Sequence, residues 1–172
     1  MRRTSVFALA VTFVWLVGGS TVWAQKYDDK EHAELAKALK DAKVTLEKGL
    51  SASESQGKPI SGKFEVEDGK LQLSVYTMKG EKFSEVIVDH KTGKTAKTEA
   101  ITGGEDLSAA KAQSGAMAKA KVSLRNATEK AVKANKGFRA VSVTPSLKDG
   151  HPVAEITLVK GDEFKTASEK LD

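Results

Sequence analysis

Apolar positions along the chain fall into two patterns, each of which occurs twice. Leu35, Leu39, Ala42, Leu46 and Leu50 step by four, three, four and four, which predicts an amphipathic helix. Asp28, Asp29, Glu31 and Glu34 cluster near its start, where the helix dipole favours anions. Beyond Lys58-Pro59 the period changes to two. Phe64 and Val66 alternate with polar neighbours, Asp68-Gly69 supplies a hairpin turn, and Leu71, Leu73 and Val75 alternate again. Lys79-Gly80 marks a second turn before a third strand from Phe83 to Asp89. The second half repeats this order. Met117, Ala120, Leu124, Ala127 and Ala131 form a helical stripe, with Gly115 as a point where the helix divides. Gly137 follows as a C-terminal cap residue, Phe138 to Val143 and Val153 to Val159 flank Asp149-Gly150, and Phe164 opens a last strand.

The residues themselves repeat in register. Ala42-Lys-Val-Thr-Leu46 matches Ala120-Lys-Val-Ser-Leu124 at an offset of 78. Asp68-Gly69 matches Asp149-Gly150, and Lys79 to Phe83 matches Lys160 to Phe164, both at an offset of 81. The pattern predicts an α+β protein of two units, each a helix followed by a three-stranded antiparallel meander, at 25–101 and 105–172. Thr102-Gly103-Gly104 is a short joint, so the units are expected to pack together. One strand edge, within 63–67 or 83–88, is expected to stay exposed.

Ahead of the repeats, Arg2-Arg3 and the apolar run from Val6 to Val17 read as the charged and hydrophobic regions of a signal peptide. The run is shorter than the roughly 20 residues that span a bilayer. Cleavage is expected between Ala24 and Gln25, giving 1–24 as leader and a periplasmic or secreted protein with no stable membrane anchor. The leader holds both Trp residues, so 25–172 keeps six aromatics and only two Arg, Arg125 and Arg139. The chain's net charge of +5 is Lys interleaved with Asp and Glu. That is a solvated surface, and nucleic acid is not an expected partner. The absence of Cys excludes a disulfide framework, a thiolate metal site and a Cys nucleophile.

Candidate chemistry is sparse. His32 sits among Asp28, Asp29, Glu31 and Glu34, yet only Asp28 shares its helical face, which reads as an acidic helix start rather than a metal site. His90 falls in a turn where Asp89 is expected to bond turn amides. His151, before Pro152, is expected to face solvent. Asn126-Ala127-Thr128 falls within a helix. No catalytic set, cofactor or metal is expected, and the protein is read as a non-enzyme.

The strand ending in Asp89-His-Lys-Thr-Gly-Lys94, after an Ala/Lys helix and a meander with Asp-Gly and Lys-Gly turns, resembles the PepSY domain. The family's turn motif falls on Asp89, Thr92, Gly93 and Lys94. The match covers 33–97 well and 112–172 less well, without a second Thr-Gly-Lys turn. The resemblance implies an exported, free-standing protein with tandem PepSY-like units that binds a protein partner, a secreted protease that it inhibits or restrains being the class implied. A periplasmic carrier of a small ligand or metal, and a structural envelope module, are the alternatives.

Overall fold

A computed structural model describes residues 29–172. The expected leader and its cleavage site at Ala24 and Gln25 lie outside these residues. The chain runs through α1 (Asp29–Ala38), a 3-10 turn (Leu39–Asp41), α2 (Leu46–Ser53), β1 (Lys58–Glu67), β2 (Lys70–Lys79), β3 (Lys82–Val88) and β4 (Thr95–Ile101). The second half adds α3 (Gly104–Lys119), α4 (Leu124–Ala134), β5 (Arg139–Lys148), β6 (His151–Lys160) and β7 (Glu163–Lys170). The class is α+β. All the strands join one antiparallel sheet in the order β4-β3-β2-β1-β5-β6-β7.

Each expected helix is in fact two. The chain leaves helical geometry at Ala42 (φ −75°, ψ 121°) and again at Ala120 (φ −77°, ψ 135°). Thr45 and Ser123 then cap the following helices, their hydroxyl oxygens accepting from the amides of Lys48 and Asn126. The freed amides in each break find one carbonyl. Lys43 and Val44 donate to His90 O at 2.9 and 3.1 Å, and Lys121 and Val122 donate to Leu171 O at 2.6 and 2.9 Å. The best-matched block of the repeat is therefore the break between the helices. The division expected at Gly115 falls at Ala120 instead, because only there does the backbone meet an acceptor from the end of a strand.

The repeat holds in the turns. Asp68 and Asp149 take φ of 49° and 52°, and Gly69 and Gly150 follow at 72° and 80°. This left-handed pair is the two-residue hairpin turn that matches the twist of the strands. The register of β1 against β2 shifts between Pro59 and Ser61, and that of β5 against β6 between Ala140 and Ser142, again 81 apart. Gly62 pairs with Val143, its own equivalent in the second half, so this pair marks an approximate two-fold axis through the sheet.

That axis explains the residue at 62. A Cβ built on Gly62 would lie 3.1 Å from Leu50 and 3.4 Å from Leu46. Gly49 of α2 is as tight, its missing Cβ falling 2.5 Å from Leu73. These contacts put α2 on the sheet face that carries Gly62, Phe64, Leu73 and Val75. Helix α4 packs beside α2 and over β5, β6 and β7. The core between them is one cluster, with Leu46, Leu50, Phe64, Leu73, Leu124, Ile156 and Leu158 all fully buried.

Two expectations are corrected here. The units do not form separate three-stranded sheets: β1 and β5 are hydrogen-bonded neighbours, and the first half has a fourth strand, β4, past its Thr-Gly-Lys turn. The segment 83–88 is not an edge, since β3 lies between β2 and β4, and β1 lies between β2 and β5, to which it pairs at Gly62 and Lys63 only. The edges of the sheet are β4 and β7.

Candidate functional site

Strand alternation sends Lys63, Glu65, Ser74, Tyr76, Glu85, Lys97, Glu99, Ser142 and Thr157 to the face opposite α2. This second face is mixed, carrying these polar groups together with Met78, Phe83, Ile87 and Val159. Helix α3 reaches it through three side chains: Asp106, whose Oδ1 accepts from the Tyr76 hydroxyl at 2.8 Å, Gln113, whose Oε1 accepts from Ser61 at 2.8 Å, and Ser114, beside the Met78 sulfur at 2.8 Å. Asp106, Ala110, Gln113 and Met117 recur at three and four residues, so one stripe of α3 faces the sheet. At the far end Phe164, which the register places on this same face, stacks on the ring of His32 at a centroid distance of 4.0 Å.

Two perturbed groups sit here. Burial holds the Tyr76 phenol well above its usual range, and the Asp106 carboxylate adds to it. Burial also raises the Glu85 carboxyl, against the hydroxyl of Ser74, which donates to it, while Glu65 pushes it further up. Lys63 pairs with Glu65 and partly offsets the negative charge. A carboxyl whose folded-state pKa is raised contributes stability that is present below its unfolded value, about 4.3, and lost as pH rises through the folded value. Glu85→Gln keeps an acceptor for Ser74 and removes the charge. Its melting temperature is expected to match the parent's near pH 4 and to exceed it increasingly towards about pH 7. A constant offset across that range would contradict this origin of the shift.

Residues Asp89 to Lys94 are built as a closed turn. Asp89 Oδ1 accepts from the amides of Lys91 at 2.9 Å and Thr92 at 2.7 Å, which holds its carboxyl below the usual range. The Thr92 hydroxyl accepts from Lys94 N at 3.4 Å, Asp89 N donates to Lys94 O at 2.8 Å, and Gly93 N donates to Asp89 O at 2.8 Å. Gly93 has a φ of 74° and packs against Val44 and Lys48, so a side chain there would be strained and crowded. The motif thus presents His90 O to the break before α2. Among the histidines, His90 has a buried Nδ1 with no hydrogen-bond partner, and exposed His151 sits 2.8 Å from Asp172 Oδ2. The three imidazoles are dispersed among separate elements, as their spacing implied.

At the start of β1, Leu50, Pro59, Met117 and Leu124 line an open cavity of about 210 Å³, with Glu54 and Arg125 at 3.9 Å beside it. Sequence reasoning missed both this cavity and the Tyr76 cluster. Each draws its residues from three or more elements, and the available signal was limited to polar residues such as Gln72, Ser74 and Glu85 at off-core positions of β2 and β3. Among the described residues, no group of three or more His, Asp or Glu is placed to hold a metal ion, and no helix is long and apolar enough to cross a membrane.

Compared with family models, curated proteins and solved structures, the chain matches none of them.

Proposed function

We propose that this is an exported, non-enzymatic protein of PepSY-like architecture that binds another protein through the β4 edge of its sheet, with a secreted protease as the class of partner. The observation that carries the reading is β4 itself. Among the described residues it pairs with β3 on one side only, and residues 95–100 are all exposed. A strand in that position offers backbone donors and acceptors to an extended segment of a partner, and its side chains can select among partners. The resemblance is supported by the order of helix, break, helix and meander in each half and by the Asp89–Lys94 turn. Lys97 and Glu99 pair at 2.8 Å along the strand and keep the edge soluble when unoccupied.

The test is to titrate the purified protein against secreted proteases, metalloproteases included, and follow cleavage of a fluorogenic peptide. Saturable inhibition with the protein left intact, together with slowed amide exchange confined to 95–101 in the complex, is the expected result. Inhibition without protection of β4 would refute the edge mechanism, and no inhibition by any of them would refute the protease reading. The carrier alternative draws on the cavity beside Leu50 and Leu124. At about 210 Å³ it is below the roughly 300 Å³ at which ligand pockets usually begin, and binding of a drug-sized molecule there would need the surrounding helices to part.

A further inference from the structure

The other edge of the sheet carries a different message in its sequence. Strand β7 reads Glu163-Phe-Lys-Thr-Ala-Ser-Glu-Lys170 and, among the described residues, pairs with β6 alone. We infer that β7 pairs antiparallel with β7 of a second copy, Ala167 facing Ala167 on a two-fold axis, so that two seven-stranded sheets become one.

The argument rests on charge and register. In that alignment Lys165 of each copy stands opposite Glu169 of the other, Thr166 opposite Ser168, and Phe164 opposite Lys170. Opposite charges directly across antiparallel strands are favourable and like charges are not. Sliding the copies by two residues one way sets Glu163 against Glu169, and the other way sets Lys165 against Leu171. A slide of one residue puts the helix-covered face of one copy beside the opposite face of the other. Among the alignments that keep the helix-covered faces together, the one centred on Ala167 pairs Lys with Glu twice while overlapping the whole strand; the one centred on Phe164 also pairs Glu163 with Lys165 twice but overlaps only residues 163–165.

The strand is also held ready. Helix α4 packs over it, and Lys130 of α4 fixes Glu169 at 2.6 Å. The Lys165 ammonium lies 3.8 Å over the ring of Phe138, so it is held on the same face as Glu169 by an aromatic ring. At the end of the strand Leu171 turns inward, its amide donating to Pro152 O at 2.9 Å and its carbonyl accepting from Lys121 and Val122. A β7–β7 contact is isologous, so it closes at two copies and does not propagate into a fibre. It leaves β4 free, so it stands or falls separately from the function proposed above.

The chain has no Cys, which makes the test direct. Facing Cβ atoms in such a pair lie about 4.5–5.5 Å apart, near enough for a disulfide after small adjustment. Ala167→Cys is expected to form a covalent dimer on mild oxidation, and Thr98→Cys on β4, at the same concentration, to remain mostly monomeric. In sedimentation the parent is expected to dimerise at concentrations on the order of 100 µM, as a small interface would. Lys165→Glu and Glu169→Lys should each weaken that about tenfold or more, and the combined swap K165E/E169K should restore it. A parent that stays monomeric, a dimer indifferent to the single reversals, or a swap that fails to restore it would overturn the proposal. Should a single reversal lose its far-ultraviolet strand signal, the Ala167→Cys against Thr98→Cys comparison decides, and equal cross-linking of the two would overturn it.

Discussion

Replacing Phe64 by alanine is expected to lower the unfolding free energy by about 3–5 kcal/mol, the largest loss of any single substitution considered. Phe64 heads the fully buried side chains, with no exposed surface, and it stands on β1, the strand that joins the two halves. Its ring meets α2's side of the core on one hand and the Arg139 guanidinium of β5 on the other, 5.4 Å from the centroid. Truncation would leave a cavity at the seam, where α2, β2 and β5 are all pinned by other contacts and cannot close over it. Since domains of this size are stable by about 5–15 kcal/mol, the variant should be marginal at room temperature. Urea unfolding followed by circular dichroism would read the loss. The transition should stay single, and amides of β6 and β7 should lose as much exchange protection as those of β2. A loss below about 1 kcal/mol, or one confined to residues 29–101, would mean that the sheet does not unfold as one unit.

That last point separates what was legible in the sequence from what was not. The hairpins were legible because Asp-Gly turns and period-two alternation are local, and each is decided within about ten residues. The helix breaks were half legible. Thr45 and Ser123 are ordinary cap residues, but the apolar stripe runs on through Ala42 and Ala120, and only the carbonyls of His90 and Leu171, distant in sequence, make the break favourable. Strand β4 was not legible at all. Thr95-Ala-Lys-Thr-Glu-Ala-Ile101 has no apolar alternation and residues 95–100 are all exposed, so there was no buried face for the pattern to record. The union of the two halves was hidden for a related reason. Gly62 reads as a weak strand residue until Leu46 and Leu50 are placed above it. In the fold the groups of Asp89 to Lys94 hold the turn and the break before α2. The polar cluster around Tyr76 stayed out of view because Asp106 arrives from α3, 30 residues away.

Arg139→Ala is expected to cost about 2–3 kcal/mol, and the reason is geometric more than coulombic. The guanidinium donates to Leu39 O at 3.3 Å and to Val44 O at 3.0 Å while lying over Phe64, so one side chain of the second half ties both ends of the first half's helix break. Burial depresses its pKa, with the distant Glu47 charge acting the other way, so the charge itself is not what stabilises the site. The gain comes from two charge-assisted hydrogen bonds to carbonyls that would otherwise lack this donor. The repeat supplies an internal comparison. Lys58 occupies the equivalent position in β1 and donates to a single carbonyl, Met117 O, at 3.1 Å, the residue 78 beyond Leu39. An ammonium can serve one end of a break and a planar fork can serve two. Arg139→Lys should therefore recover only part of the loss, and Lys58→Ala should cost under about 1 kcal/mol because its charge stays near water. If Arg139→Lys proved as stable as the parent, the second carbonyl would be irrelevant and charge alone would explain the site.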